Sequence, residues 1–336
     1  MSRIAILGAG AWGTALAISL ARRAGHELCL WAHSSEHARQ LSETGENSRY
    51  LPGYILPADV HITPTLAEAI ADAEIILCVT PSQTLRSIMR QIAPLLTPTQ
   101  ILLSASKGIE EKTFLRMSQV IAQHIAEPTS GTNPIAVIGG PSFAQEVAAA
   151  LPTALSVACD DPAIGTRLQN DFSSPSLRVY RNEDLAGTEL GGALKNVIAL
   201  AAGIVAGLDL GHNAASALIT RGNAEITRLA IACGARRETM TGLSGIGDLV
   251  LTCSSNISRN RTVGFELGRG RQLPEILASL NGKVAEGVLS TTAALGLAAR
   301  YGVEMPITEQ MDAILHRGQS PRDAIRELMT RPGRTE

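Results

Sequence analysis

Apolar residues over the first 180 positions come in two textures. Short, nearly continuous runs ("RIAILG", "ELCLWA", "AEIILCVT", "QILLSASKG", "PIAVIGG", "TALSVAC" and "LRVY") are each bounded by Gly, Pro or small polar residues. Between them lie longer stretches such as "AWGTALAISLARRAG", where apolar positions recur at helical spacing. The first kind predicts strands covered on both faces, because a strand with one wet face would alternate apolar with polar. Strands separated by helices of this length predict βαβ units and a doubly wound, largely parallel sheet.

From about residue 184 the strand texture stops. "LAGTELGGALKNVIALAAGIVAGL", "AASALITRGNAEITRLAIACG", "SRNRTVGFELGRG", "LPEILASL", "STTAALGLAARYG", "PITEQMDAILHRG" and "PRDAIRELM" all read as helices. The change near Arg181–Asp184 divides the chain into an α/β domain over 1–182 and an all-α domain over 183–336. The longest apolar run, "NVIALAAGIVAGL" at 196–208, is short and glycine-rich for a bilayer span and predicts a buried core helix. No apolar signal segment follows Met1; Ser2-Arg3 leads straight into a strand.

Composition adds exclusions. A net charge of -2 leaves no basic surplus for nucleic-acid phosphates, and 3% aromatic residues offer few surfaces for stacking bases. Five scattered cysteines with no C-x-x-C, mostly in apolar runs, predict reduced thiols in a cytoplasmic protein and argue against a disulfide framework. The seven histidines are dispersed, so no metal site is predicted.

The first strand ends in "GAGAWG", with Gly8, Gly10 and Gly13 in G-x-G-x-x-G spacing ahead of a helix. Gly8 allows the tight turn, Gly10 lets the backbone approach a pyrophosphate, and Gly13 lets helix and strand pack closely. The helix N-terminus offers amide N–H groups and partial positive charge to the phosphates. Ala11 and Trp12 open that helix, and Trp12 either packs in the core or edges the cofactor. An NAD-selective site places an acid after the second strand. His33 stands there instead, with Glu36 too far along, which favours NADP(H), NAD remaining a possibility. Arg39 or Arg22-Arg23 are candidate helpers for a 2′-phosphate.

Further polar residues interrupt apolar or glycine-rich surroundings. Lys107 in "SASKGIE" follows a strand, at the carboxyl edge where doubly wound sheets bind ligands. Gly140, Pro141 and Ser142 in "GGPSFAQE" follow another strand and open a helix whose first amides could meet an anion. Lys195 and Asn196 lie in the otherwise apolar helix "GGALKNVIAL"; burial of a lysine disfavours its charge and suits it to proton transfer. The alternative is a helix-edge lysine reaching solvent. Asp248 in "SGIGDLVLTC" sits at a loop-to-helix step, where N-capping is the plainer reading. Arg259, Asn260 and Arg261 in "SNISRNRTVG" suit an anion, because guanidinium grips phosphate in bidentate fashion.

In this order, "GAGAWGTALA", "SKGIE", "GGPSFAQEV", "LGGALKNVIALAAGI", "GLSGIGDLVLTC", "SRNRTVG" and "KVAEG" resemble the bacterial NAD(P)-dependent glycerol-3-phosphate dehydrogenases from about residue 3 to 316. The resemblance implies a Rossmann-type N-terminal domain and a helical C-terminal domain. It implies an oxidoreductase that interconverts dihydroxyacetone phosphate and sn-glycerol 3-phosphate with NADPH or NADH, feeding glycerophospholipid synthesis. Matched residue by residue, it makes Lys195 the proton donor and acceptor at the C2 oxygen. It places Lys107, Gly140, Ser142, Asp248, Ser258, Arg259 and Asn260 at the substrate. Ala11, Trp12, His33, Lys107, Ala144, Arg259, Val284 and Glu286 line the cofactor with the glycine turn. A small phosphate ester is then the partner molecule, and a homodimer is expected. Two departures stand out: Ala285 replaces a bulkier aliphatic residue, and Ser34 follows His33 where relatives often carry arginine, which weakens the NADPH preference. The rival readings are another two-domain hydroxy-acid dehydrogenase and a non-catalytic NADP(H)-binding regulator.

Overall fold

Eight strands form one sheet in the computed structural model, which describes residues 2–23, 25–125, 133–280 and 285–333. They are β1 (Arg3–Leu7), β2 (Glu27–Trp31), β3 (His61–Thr63), β4 (Ile75–Cys78), β5 (Ile101–Ser104), β6 (Ile135–Gly139), β7 (Thr153–Cys159) and β8 (Leu177–Asn182). Their order across the sheet is β3-β2-β1-β4-β5-β6-β7-β8. The first six run parallel, with Ile4 opposite both Leu28 and Ile75. Strand β7 then enters antiparallel to β6, with Ile138 opposite Val157, and β8 lies parallel to β7. The sheet is doubly wound as the continuous apolar runs require. The reversal at β7 is invisible in its sequence, since a buried strand shows the same apolar run in either direction.

Side chains alternate to two cores. Ile4, Ile6, Leu30, Leu77 and Leu103 pack with α1 (Ala11–Ala21), α6 (Ala144–Ala148) and α7 (Pro162–Phe172), and with Ala38 and Leu41 of α2 (Ser35–Thr44). Ala5, Leu7, Trp31, Ile76 and Leu102 face the other way, onto α3 (Leu66–Ile70), α4 (Leu85–Ile92) and α5 (Met117–Ile125). The order reverses between β1 and β4, and ligands of such sheets sit at the carboxyl ends beside that switch.

The chain divides into two compact units, residues 1–107 with 115–189 and residues 108–114 with 190–336. The second consists of helices: α8 (Leu185–Gly207), α9 (Gly211–Ala232), α10 (Arg237–Met240), α11 (Asp248–Ser254), α12 (Arg259–Gly268), α13 (Leu273–Ser279), α14 (Glu286–Tyr301), α15 (Pro306–His316) and α16 (Pro321–Met329). The division falls inside α8, which runs upstream of the predicted apolar stretch to 23 residues. By length and composition alone α8 would cross a membrane, but 94% of its most apolar window is buried, as a core helix requires.

Helix α8 is held by backbone contact. A Cβ at Gly203 would stand 2.0 Å from the Arg261 carbonyl oxygen, and one at Gly264 would stand 1.9 Å from that of Leu200. Helices α8 and α12 therefore touch without side chains between them, which sets their register. Elsewhere in this unit the buried Glu225 of α9 accepts from the Ile307 and Thr308 N–H groups, both at 2.9 Å. It caps α15, whose own N-cap, Met305, has no polar atom to do so.

Candidate active site

In the α/β unit the glycine turn is built as its spacing predicts. Gly8 has φ +131°, and a Cβ there would lie 2.5 Å from the Val79 carbonyl oxygen at the end of β4. A Cβ at Gly13 would lie 1.9 Å from the Gly8 carbonyl oxygen. Gly10 is different: a Cβ there would meet nothing within 4 Å. Protein packing thus accounts for Gly8 and Gly13, while the space over Gly10 is open. Gly10 is also the N-cap of α1 and supplies no side-chain cap, so the first-turn amides face that opening uncapped. This is the arrangement a pyrophosphate needs.

Ala11 and Trp12 are half-buried, and Trp12 packs against the core. His33 is exposed, two residues past β2, with its ring edge-on to Trp31 at 5.6 Å. Arg22 and Arg23 are not near it. They end α1, where Arg22 donates to the Val147 carbonyl at 3.3 Å and to that of Ala148, and Arg23 donates to that of Ser173 at 3.0 Å. Those bonds tie α1 to α6 and α7's end, which removes both arginines as helpers at a 2′-phosphate. Arg39, on α2, is exposed.

Lys107, Gly140 and Ser142 converge at the carboxyl ends of β5 and β6. The Lys107 ammonium and the Ser142 hydroxyl both donate to the Gly140 carbonyl, at 3.3 and 3.0 Å. Gly140 has φ +123°, which turns that carbonyl out of the strand. Ala144 begins the five-residue α6 and packs on the core.

The helical unit carries the second group. Gly191 and Lys195 are one turn apart on α8, and so share a face. A Cβ at Gly191 would stand 2.1 Å from the Ser244 carbonyl oxygen, so the irregular turn Leu243–Gly247 presses onto α8 there. Four residues further along each element, Lys195 meets Asp248. Lys195 is 6% exposed and Asp248 1%. The ammonium donates to the Asp248 carboxylate and to Thr252 Oγ1 at 2.9 Å, while Thr252 donates to the Asp248 carbonyl at 2.7 Å. Asp248 is thus a buried counter-ion rather than an N-cap, a position that Gly247 holds.

Ser258 caps α12, accepting from the Arg261 N–H at 3.3 Å. Arg261 donates to Asn256, whereas the exposed Arg259 has no hydrogen-bond or ion-pair partner among the described residues. Asn260 is buried and bonds to Asn196. Glu286 begins α14; Val284 lies outside the described residues.

Two residues escaped the sequence reading. Thr252 carries no signal in an apolar helix until its neighbours are known. Buried Asn47 donates to the Ala9 carbonyl at 2.9 Å and to Thr14 Oγ1 at 2.7 Å, bracing the glycine turn from 38 residues away.

The comparisons can be set beside this geometry. The model of the NAD-dependent glycerol-3-phosphate dehydrogenase N-terminus matches residues 3–164, and that of its C-terminus matches 184–326. The chain belongs to this family. It is 57% identical to a glycerol-3-phosphate dehydrogenase (NAD(P)+) of Acidobacterium capsulatum, over all of both chains. Identity to that of Koribacter versatilis is 55%, over 100% of this chain and 99% of the other. The crystal structure of the Coxiella burnetii glycerol-3-phosphate dehydrogenase superposes with a TM-score of 0.93 at 41% identity, covering 98% of this chain and 99% of that one. A ketopantoate reductase from Ralstonia eutropha, at 17% identity and a TM-score of 0.59, shares the fold alone.

Proposed function

We propose that this chain interconverts dihydroxyacetone phosphate and sn-glycerol 3-phosphate with NAD(P)H, using Lys195 as the proton donor and acceptor. The observation that carries the reading is the ammonium of Lys195, buried on an apolar helix and aimed by Asp248 and Thr252. A lysine kept for packing would not be enclosed with a carboxylate, because taking both charges out of water is costly.

The chain's own residues then divide the work. The amides above Gly10 hold a pyrophosphate, with Gly8 and Gly13 shaping the turn and Ala11, Trp12 and Ala144 beside it. His33 meets the adenosine ribose, where a 2′-phosphate would select NADP(H). When bound, the nicotinamide supplies the hydride for the ketone carbon. Negative charge develops on the ketone oxygen as it does so, and Lys195 stabilises that charge and delivers the proton. In the opposite direction Lys195 takes the proton back. Asp248 neutralises and orients the ammonium, which holds one N–H direction fixed throughout.

In the helical unit Arg259 grips the substrate phosphate, helped by Ser258; in the α/β unit Lys107, Gly140 and Ser142 are the proposed substrate contacts at the sheet edge. Binding energy from that remote group positions the reacting carbonyl, so losing Arg259 lowers turnover as well as affinity. The reading extends to a cytoplasmic homodimer feeding glycerophospholipid synthesis. The described cysteines are all free, which suits a reducing compartment. The test is loss of reduced-nicotinamide absorbance with dihydroxyacetone phosphate, run with NADPH and NADH. Oxidation is expected with at least one. Binding of NADPH without turnover on this or any small phosphoketone would favour the regulator instead.

A further inference from the structure

The open space over Gly10 leaves the glycine turn without packing on the side where a pyrophosphate approaches, so its restraint must come from elsewhere. Asn47 supplies it. This residue is 1% exposed and follows α2, in a segment closed on itself: the Leu56 N–H donates to the Gly45 carbonyl and the Gly53 N–H to Glu46, both at 2.7 Å. Both hydrogens and both lone pairs of the Asn47 amide are engaged. Its Nδ2 donates to the Ala9 carbonyl at 2.9 Å and to Thr14 Oγ1 at 2.7 Å. Its Oδ1 accepts from the Tyr50 N–H at 3.3 Å and from His37 Nε2 at 3.2 Å. A carbonyl only accepts and a backbone N–H only donates, so the amide cannot turn over without breaking its bonds at both ends. The two bonds to the turn fall on either side of Gly10. The Ala9–Gly10 peptide is planar, so holding the Ala9 carbonyl also fixes the direction of the Gly10 N–H on the opposite edge. Thr14 lies in the first turn of α1, its own N–H bonded to the Gly10 carbonyl at 3.0 Å. One buried side chain thus holds the peptide that enters Gly10 and the helical turn that leaves it.

We propose that Asn47 is a positioning residue for the dinucleotide: it presets the amides around Gly10 and so sets affinity for the part that NADPH and NADH share. This rests on the reading above that those amides hold the pyrophosphate. Both bonds are needed, because either alone leaves one side of Gly10 free to shift. The bond from His37 of α2 offers a rival route, through the adenosine end. That route would change the choice between the two cofactors rather than the affinity for both.

The experiment titrates NADPH and NADH separately onto the full-length protein by quenching of tryptophan fluorescence, with the melting temperature measured in parallel. Asn47→Ala is expected to raise both Kd values about tenfold, the scale of a lost buried hydrogen bond, with their ratio within about twofold of the parent's. Thr14→Val keeps the shape of the side chain and removes one of the two acceptors, and should raise both values about threefold. Unchanged Kd values in Asn47→Ala, even with a lowered melting temperature, overturn the proposal. So does a rise confined to NADPH, which would assign Asn47 to the 2′-phosphate through α2. Should Asn47→Ala not fold, unchanged values in Thr14→Val overturn it equally. A parent protein that binds neither dinucleotide sinks the reading of the glycine turn and this proposal together. A parent that binds them, with indifferent variants, sinks this proposal alone.

Discussion

Lys195 and Asp248 face each other with almost no access to solvent, and each is the other's reason for being charged there. Removing one partner strands the other, at a cost of roughly 3–5 kcal/mol. Asp248→Asn preserves shape and one acceptor while removing the charge that aims the ammonium. Turnover should fall by roughly a hundredfold, the lower range for a misdirected proton donor, with NADPH affinity unchanged. Equal loss of affinity and turnover would instead show a collapsed helical unit. His33 carries a prediction of its own. On the proposed reading that His33 meets the adenosine ribose, His33→Ala should narrow the ratio of kcat/KM between NADPH and NADH; the imidazole is exposed two residues past β2. An unchanged ratio would move that discrimination elsewhere. The thiols are set the other way: burial pushes Cys78 and Cys253 up to about 12, so neither supplies a nucleophile near neutral pH.

Among the elements, the contact between α8 and α12 sets the distance from Lys195 to Arg259 at the start of α12. Gly264→Ala puts a methyl group 1.9 Å from the Leu200 carbonyl oxygen, so the helices must separate. We expect a loss of about 1–3 kcal/mol by denaturant unfolding, the usual cost of overpacking. A variant as stable as the parent would mean the crossing is looser than it looks. The cap on α15 gives a pH dependence. Desolvation raises the Glu225 carboxyl above its ordinary 4.5, against the lowering effect of its bonds from Ile307 and Thr308. A carboxyl raised in the fold binds its proton more tightly there than in the unfolded chain. Its contribution is therefore complete below 4.5 and is lost as pH rises through the raised value. The stability difference between the parent and Glu225→Gln should shrink across that rise; a difference constant with pH would remove Glu225 as its source.

For the molecule as a whole, the alternation of strand and helix textures carried the α/β half, since continuous apolar runs mark strands covered on both faces. The direction of β7 was hidden because burial erases it. The glycine turn was legible because Gly8 and Gly13 each answer a packing requirement of the backbone, while Gly10 stands in open space. Lys195 stood out as a charge in an apolar helix, and its burial follows from that pattern. Its partners did not. Thr252 and Asn47 matter through residues 57 and 33–38 positions away, and no local pattern records such pairings. Arg22 and Arg23 misled for the opposite reason: adjacency to a nucleotide-binding helix in sequence put them at its far end in space.

The most direct test of the account replaces Lys195 with alanine together with Asp248→Asn, so that no carboxylate is left buried and unpaired. NADPH oxidation with saturating dihydroxyacetone phosphate is compared with the parent, alongside the NADPH Kd. The account predicts at least a roughly hundredfold loss of turnover, with the Kd unchanged. Near-parental turnover in a variant that binds NADPH normally would contradict it.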